Sequence, residues 1–287
     1  MKTSPVIIAA VLALFLSGCV QSIAISTVGG IVDDGFVAFT EEDDLAFAEA
    51  SLPGNLKLVE VLLKSEPDNE RLLLLASQGY ASYALAFLED SDRDRARSFY
   101  LRGRDFGLRL LRQDQELARA IDGSPDDLRA VLASRDNGLV PAIFWTAFGW
   151  GGYVQLALDS PDALADIPRV EAMMEFVAAV DSGFYYGGAH IFLGTLAGMR
   201  PRLLGGDPER SRAHFEAALR LNGGTFLMTH VYYAKSYAVQ TLDEELFVSL
   251  LETVRATPLD ILPENRLANA VAKRKAEALL ARRSDLF

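Results

Sequence analysis

The chain has 287 residues, and its 28 Lys and Arg against 39 Asp and Glu leave a net charge of −11, a balance that repels nucleic-acid phosphates and anionic lipid headgroups alike. Half of the residues are hydrophobic, with Leu and Ala dominant and β-branched runs scarce, which is a helix composition in a chain long enough for one large domain or two small ones. Cys19 is the only cysteine, so a disulfide and a thiolate metal site are both excluded.

At the N-terminus, Lys2 precedes the apolar run "PVIIAAVLALFL" (Pro5 to Leu16), which has the length of a signal-peptide core and is too short to span a bilayer. Ser17 and Gly18 then lead into Cys19, and "LSGC" resembles a bacterial lipobox. That resemblance implies residues 1–18 as a lipoprotein signal peptide, an acylated Cys19 as the first mature residue, residues 19–27 as a tether and residues 28–287 as the domain. Removing residues 1–18 takes away Lys2 and leaves 27 cations against 39 acids, a mature charge of about −12. Attachment then falls to the acyl chains rather than to electrostatics. Val20 stands where an Asp would favour inner-membrane retention, so the expected location is the periplasmic side of a bacterial membrane, with the outer membrane favoured.

Further along, apolar residues recur at three- and four-residue spacing. "LKLVEVLLK" (Leu56 to Lys64) ends at "SEPDNE", where Pro67 breaks the helix and Asp68 is placed to cap the next. Helices follow over Glu70 to Asp90 and Ser91 to Gln113, and Ser124 with Pro125 reads as N-cap and first residue of a short helix. "LLGGDPER" (Leu203 to Arg210) reads as a turn with Asp207 capping and Pro208 starting a helix. "LPENRLANAVAKRKAEALLARRSDLF" closes the chain as an amphipathic helix. With no alternating strand of useful length, the predicted class is all-α.

Paired helices with short turns fit tetratricopeptide-like spacing. One unit is Tyr80, Tyr83, Ala84, Phe87, Ala96, Tyr100, Gly103; another is His230, Tyr233, Ala234, Tyr237, Leu246, Leu250, Thr253. His190, Leu193, Gly194 and Ala197 with Ser211, Phe215 and Ala218 form a third, and Phe148, Gly151, Gly152 with Ala172, Phe176 and Ala179 a fourth. The expected architecture is cryptic helical-hairpin repeats in one compact superhelical domain; a general bundle explains the same alternation of small and large residues.

No constellation of nucleophile, base and orienting group stands out, so the chain reads as a non-enzyme with no cofactor and no metal site. His190, His214 and His230 fall on different predicted helices, and none forms an HxH or HExxH pair. "GWGGY" (Gly149 to Tyr153) follows no strand, which rules against a dinucleotide loop. The aromatic density is the stronger signal: "FWTAFGWGG" and "GFYYGGAH" set Trp145, Phe148, Trp150, Tyr185, Tyr186 and His190 as candidates to line an apolar pocket or pore. Core packing accounts equally for these residues, and the glycines beside Trp150 are tolerated in a helix where another helix or a ligand comes close.

The segments "PDNERLLLLASQGYASYALAFLED", "FWTAFGWGGYVQLALDSPDALADIPRVEAMM", "GGAHIFLGTLAGMRPRLLGGDPERSRAHFEAAL" and "RLANAVAKRKAEALLAR" together resemble the TatT family. These are T-component lipoproteins of tripartite ATP-independent periplasmic (TRAP) transporters. The resemblance implies an all-helical fold with cryptic tetratricopeptide-like repeats, a homotrimer, a pore or cleft in each protomer and a periplasmic TRAP solute-binding protein as partner. It also implies delivery of a hydrophobic or organic-acid ligand, and brings no catalytic residues. The alternative function is a helical-repeat scaffold lipoprotein for envelope protein assembly.

Overall fold

A computed structural model describes Gly35, residues 37–200, Arg202 and residues 205–287. The expected signal peptide, Cys19, the expected tether and the expected domain start at residue 28 lie outside the described residues. The described residues form helices and no strand, the all-α class that composition and periodicity predict.

The longer helices run α1 (Leu45–Ser65), α2 (Glu70–Tyr83), α3 (Arg93–Leu111), α4 (Gln115–Asp122), α5 (Pro125–Leu132) and α6 (Val140–Leu156). After these come α7 (Pro161–Ala165), α8 (Ile167–Val180), α9 (Phe184–Gly198) and α10 (Pro208–Asn222). The chain closes with α11 (Met228–Tyr232), α12 (Val239–Thr241), α13 (Glu244–Ala256), α14 (Arg266–Ala281) and α15 (Arg283–Leu286). Two π-helical turns interrupt the series, Ala84–Leu88 after α2 and Tyr233–Ala238 after α11.

Much of the acidic excess sits at helix starts. Asp44, Asp92, Asp114, Asp207 and Asp243 each accept backbone N–H bonds at the N-caps of α1, α3, α4, α10 and α13, where a carboxylate both satisfies orphan donors and suits the helix dipole. Ser124 and Asp127 form a reciprocal capping box at α5. Three sequence-based boundaries shift. Asn69, not Asp68, caps α2, accepting from Leu72 N at 3.1 Å. Helix α1 begins at Leu45 and runs through Pro53, well before the expected start at Leu56. The C-terminal segment breaks between α14 and α15 instead of closing as one helix.

Helices α2, α3 and α6 stack through small residues. A Cβ on Gly103 of α3 would stand 2.9 Å from Ser77 O and 3.1 Å from Ala81 N of α2. One on Gly149 of α6 would stand 2.9 Å from Arg104 N and 3.0 Å from Tyr100 O of α3. These backbones touch, and only hydrogen fits between them. At the end of α6, Arg93 Nη2 (3.0 Å) and Arg97 Nε (2.6 Å) both donate to the Leu156 carbonyl, cations meeting the negative end of a helix. Helices α9 and α10 make a second close hairpin, in which a Gly194 Cβ would come within 3.2 Å of Ser211 O. In the fourth unit Gly152 faces the Tyr100 ring of α3, whereas Gly151 faces both Phe192 of α9 and Val170 of α8.

The core falls into several clusters, two of them large. One cluster is built on α3 to α9, with Phe144, Trp145, Met173 and Phe192 at its centre. The other is built on α9 to α14, around Phe215, Phe226, Phe247 and Val271. Helix α9 serves both, because Ile191 faces one cluster while Phe192 and Leu193 face the other. Between them the packing does not close.

Candidate ligand cavity

The unfilled junction is a partly enclosed cavity of about 130 Å³, enough for several water molecules. Its wall takes Phe144, Trp145 and Phe148 from α6, Tyr185 and Phe192 from α9, and Phe226 from the turn before α11. Residues of α1, α2 and the Ala84–Leu88 π-turn add Leu52, Tyr83, Leu85 and Phe87, and α14 adds Leu267 and Val271. Of the described residues, no Asp, Glu, Lys, Arg or His belongs to the lining. The polar exceptions are neutral: Thr40, Gln78, Ser82, Gln155, Thr195 and Asn265, besides the tyrosine hydroxyls.

Edge-to-face contacts hold the aromatic wall. Trp145 meets Tyr185 with ring centroids 4.8 Å apart at 73°, and Phe144 meets Trp145 at 5.0 Å and 83°, the offset geometries that ring quadrupoles favour. What brings Tyr185 there is an unusual backbone. Tyr185 (φ 45°), Tyr186 (φ 60°) and Gly187 (φ 76°) are successive left-handed residues at the head of α9, each non-glycine one costing about 1–2 kcal/mol. The turn is held from outside. Tyr186 stacks on Phe226 at 4.8 Å and 14°, and Asn222 Nδ2 donates to the Tyr186 carbonyl at 3.0 Å. Burial pushes the Tyr185 hydroxyl up to about 12, against the opposing effect of Asn265, so Tyr185 stays neutral at physiological pH.

Several lining hydroxyls have already committed their protons to the protein. Tyr100 donates to Glu89 Oε2 (2.8 Å), Thr195 to Ile191 O (2.8 Å) and Thr40 to Val37 O (2.8 Å). What these groups offer inward is lone pairs. Glu89 is itself held by Lys235 Nζ at 3.2 Å and by buried Lys275 at 3.9 Å, and Lys275 reaches Asp90 at 2.5 Å. Burial first, then the Glu89 charge, drives the Tyr100 hydroxyl well above its ordinary value. The ionic groups thus stand behind the wall and balance one another there.

Of the six residues singled out from sequence, Trp145, Phe148 and Tyr185 line the cavity, whereas Trp150, Tyr186 and His190 do not. Trp150 is turned away and donates its indole N–H to Asp166 Oδ2 at 2.8 Å, with the Arg104 guanidinium over its ring at 5.7 Å. Tyr186 buttresses the turn. His190 pairs with His214, Nδ1 to Nδ1 at 2.9 Å, a contact that spacing alone does not show because the two lie on different helices. Their pKa values are both lowered, His190 by burial and then Arg220, His214 to about 4 by burial and then by His190 and Arg210. Phe192, Phe226 and Val271 were missed, since each is an ordinary apolar residue in an ordinary helical pattern. Tyr83, Phe87 and Tyr100 carried a signal, but as repeat-packing positions. Among the described residues no group of three His, Cys, Asp or Glu is placed to hold a metal ion, and no helix is long and apolar enough to cross a membrane.

A family model described as TRAP transporter T-component matches residues 41–287. The chain belongs to the TRAP transporter T-component family. The match takes in nearly every element of this T-component that builds the cavity, from α1 to α14. The chain is also 26% identical over 267 residues to an uncharacterised protein of Treponema pallidum (strain Nichols), covering 87% of this chain and 82% of the relative. Family membership makes it a component associated with transport.

Proposed function

We propose that this T-component is a non-enzymatic, lipid-anchored periplasmic protein that holds an apolar, uncharged ligand in the cavity between its two largest core clusters and exchanges it with a TRAP solute-binding protein. The observation that carries the reading is the cavity lining, aromatic and aliphatic with a few neutral polar groups and no counter-ion among the described residues. An ionised organic acid placed there would lose hydration with no cation to compensate it. This favours the hydrophobic half of the ligand class implied by the family resemblance. Acylation at Cys19, with the outer membrane favoured, supplies the tether, and the assembly is a homotrimer. The hairpins closed at Gly103 and Gly194 support the tetratricopeptide-like reading, in which stacked helix pairs offer a curved surface to a partner.

The test is binding of the neutral fluorophore N-phenyl-1-naphthylamine to the full chain. Trp145→Ala should weaken it at least about tenfold, given the loss of a large buried contact. Binding that stays unchanged in Trp145→Ala and Tyr185→Ala would sink the cavity assignment. Recovery of a solute-binding protein by pull-down from membranes, a trimer by native mass measurement and an acyl mass on the Cys19 peptide test the partner, the assembly and the anchor in turn.

A further inference from the structure

Behind the main cavity lies a second, smaller pocket of about 20 Å³, built mostly from Gly151, Val154, Ile167, Val170, Leu196 and Met199, with Arg200 also in its lining and half-exposed Leu158 at the surface. Two residues, Phe192 and Gln155, line both spaces. Phe192 is buried, at 7% exposure, and its ring reaches the Gly151 side of the rear pocket. The ring has this place because position 151 is glycine: a Cβ there would overlap Phe192 Cζ and Cε2 and would lie 3.3 Å from Val170 Cγ1. Glycine in the interior of α6 costs helix stability, and here its hydrogen makes room for the edge of a ring from another helix.

We propose that Phe192 is the partition that sets how long an apolar chain the cavity accepts, and that the pocket behind it is a chain-end subsite closed off by this ring. The proposal rests on the apolar-cavity reading above and adds to it a depth limit. Gly151 is the positioning residue, since it fixes where the ring lies. A chain entering from the Trp145–Tyr185 side gains contact with each methylene until its end meets Phe192; beyond that point further carbon stays outside. With the ring removed, the chain end continues between Val154, Val170 and Leu196, all carbon-lined, and each added methylene goes on being buried.

The experiment is displacement of N-phenyl-1-naphthylamine from the full chain by straight-chain 1-alkanols lengthened one methylene at a time. In the wild type, affinity should rise about fourfold per methylene and then flatten. In Phe192→Ala the rise should continue to longer chains before flattening. Phe192→Leu, which keeps an apolar group in the core, should lengthen the plateau less and serves if the alanine variant fails to fold. Adding Leu196→Phe to either variant refills the rear pocket and should return the plateau towards the wild-type length. A plateau at the same chain length in the wild type and in both Phe192 variants overturns the partition while leaving the cavity reading intact. A wild-type profile that never flattens overturns it too. If no alkanol displaces the probe from the wild type, the cavity reading itself falls, and the partition with it.

Discussion

Helix α6 shows two ways of being buried. On the face towards α3, Gly149 lets the helix backbone come within van der Waals contact of Tyr100 O and Arg104 N, and at that crossing only hydrogen fits. On the face towards α9, Phe144 and Trp145 meet Tyr185 ring to ring, with Phe148 stacked on Phe144, and a cavity remains. Small residues let helices close because backbone surfaces are complementary at short range. Rigid rings meeting at 5–6 Å in edge-to-face geometry do not tile a volume, and the left-handed turn at Tyr185 holds them where they cannot collapse. Two tryptophans five positions apart on this helix therefore do different work. Trp145 walls the cavity, and Trp150 pins α6 to the start of α8 through Asp166.

The contrast can be broken at its tight side first. Gly149→Val puts methyl groups into the α3 backbone, which has no rotamer to yield, and should cost about 3 kcal/mol and lower Tm by roughly 10 °C. Thermal melting that shifts by less than about 2 °C would mean the crossing is looser than described. Next in size is Trp150→Phe, which leaves Asp166 without its indole partner and should cost about 1–2 kcal/mol. Probe affinity in that variant should match the wild type; a loss of affinity larger than that of Trp145→Phe would reverse the assignment of the two tryptophans. The smallest effect concerns the α9–α10 hairpin. His190 and His214 bind their protons more weakly folded than unfolded, with Arg220 and Arg210 adding repulsion and Glu171 opposing it at His214. Stability is therefore full above the ordinary value of 6.5 and falls as pH drops from there towards about 4. His214→Asn should flatten part of that decline and leave Tm at neutral pH nearly unchanged, and an identical pH slope in the variant would discard the pair as its source.

How much of this was legible before the structure depends on how local each feature is. Ser124 with Pro125, and Asp207 with Pro208, announce helix starts because a cap is a contact between residues three positions apart. The glycines of "GWGGY" announced a close approach without naming the neighbour, and three different neighbours answer: the α3 backbone at Gly149, Phe192 at Gly151 and Tyr100 at Gly152. "GFYYGG" carried aromatic and flexible residues together, yet a left-handed Tyr185 and Tyr186 depend on the Phe226 stack and the Asn222 bond, both supplied from far along the chain. Trp145, Phe148 and Trp150 look alike in sequence, and a rotation of about 100° per residue along a helix separates a wall from a strut.

The amino-acid sequence alone determined the helical class, several helix starts and the stretches where rings and glycines gather, because periodicity and capping act within a turn or two of chain. It also carried enough residue pattern to point to the T-component family. The tertiary structure alone decided that two large core clusters form with a gap between them, that ionic groups of the described residues stand behind the cavity wall, and that Phe192 and Gln155 are shared by the cavity and the pocket beyond. Those outcomes depend on which side chains from distant helices meet and fail to fill space, and a void is a property of several surfaces at once, written in no single segment.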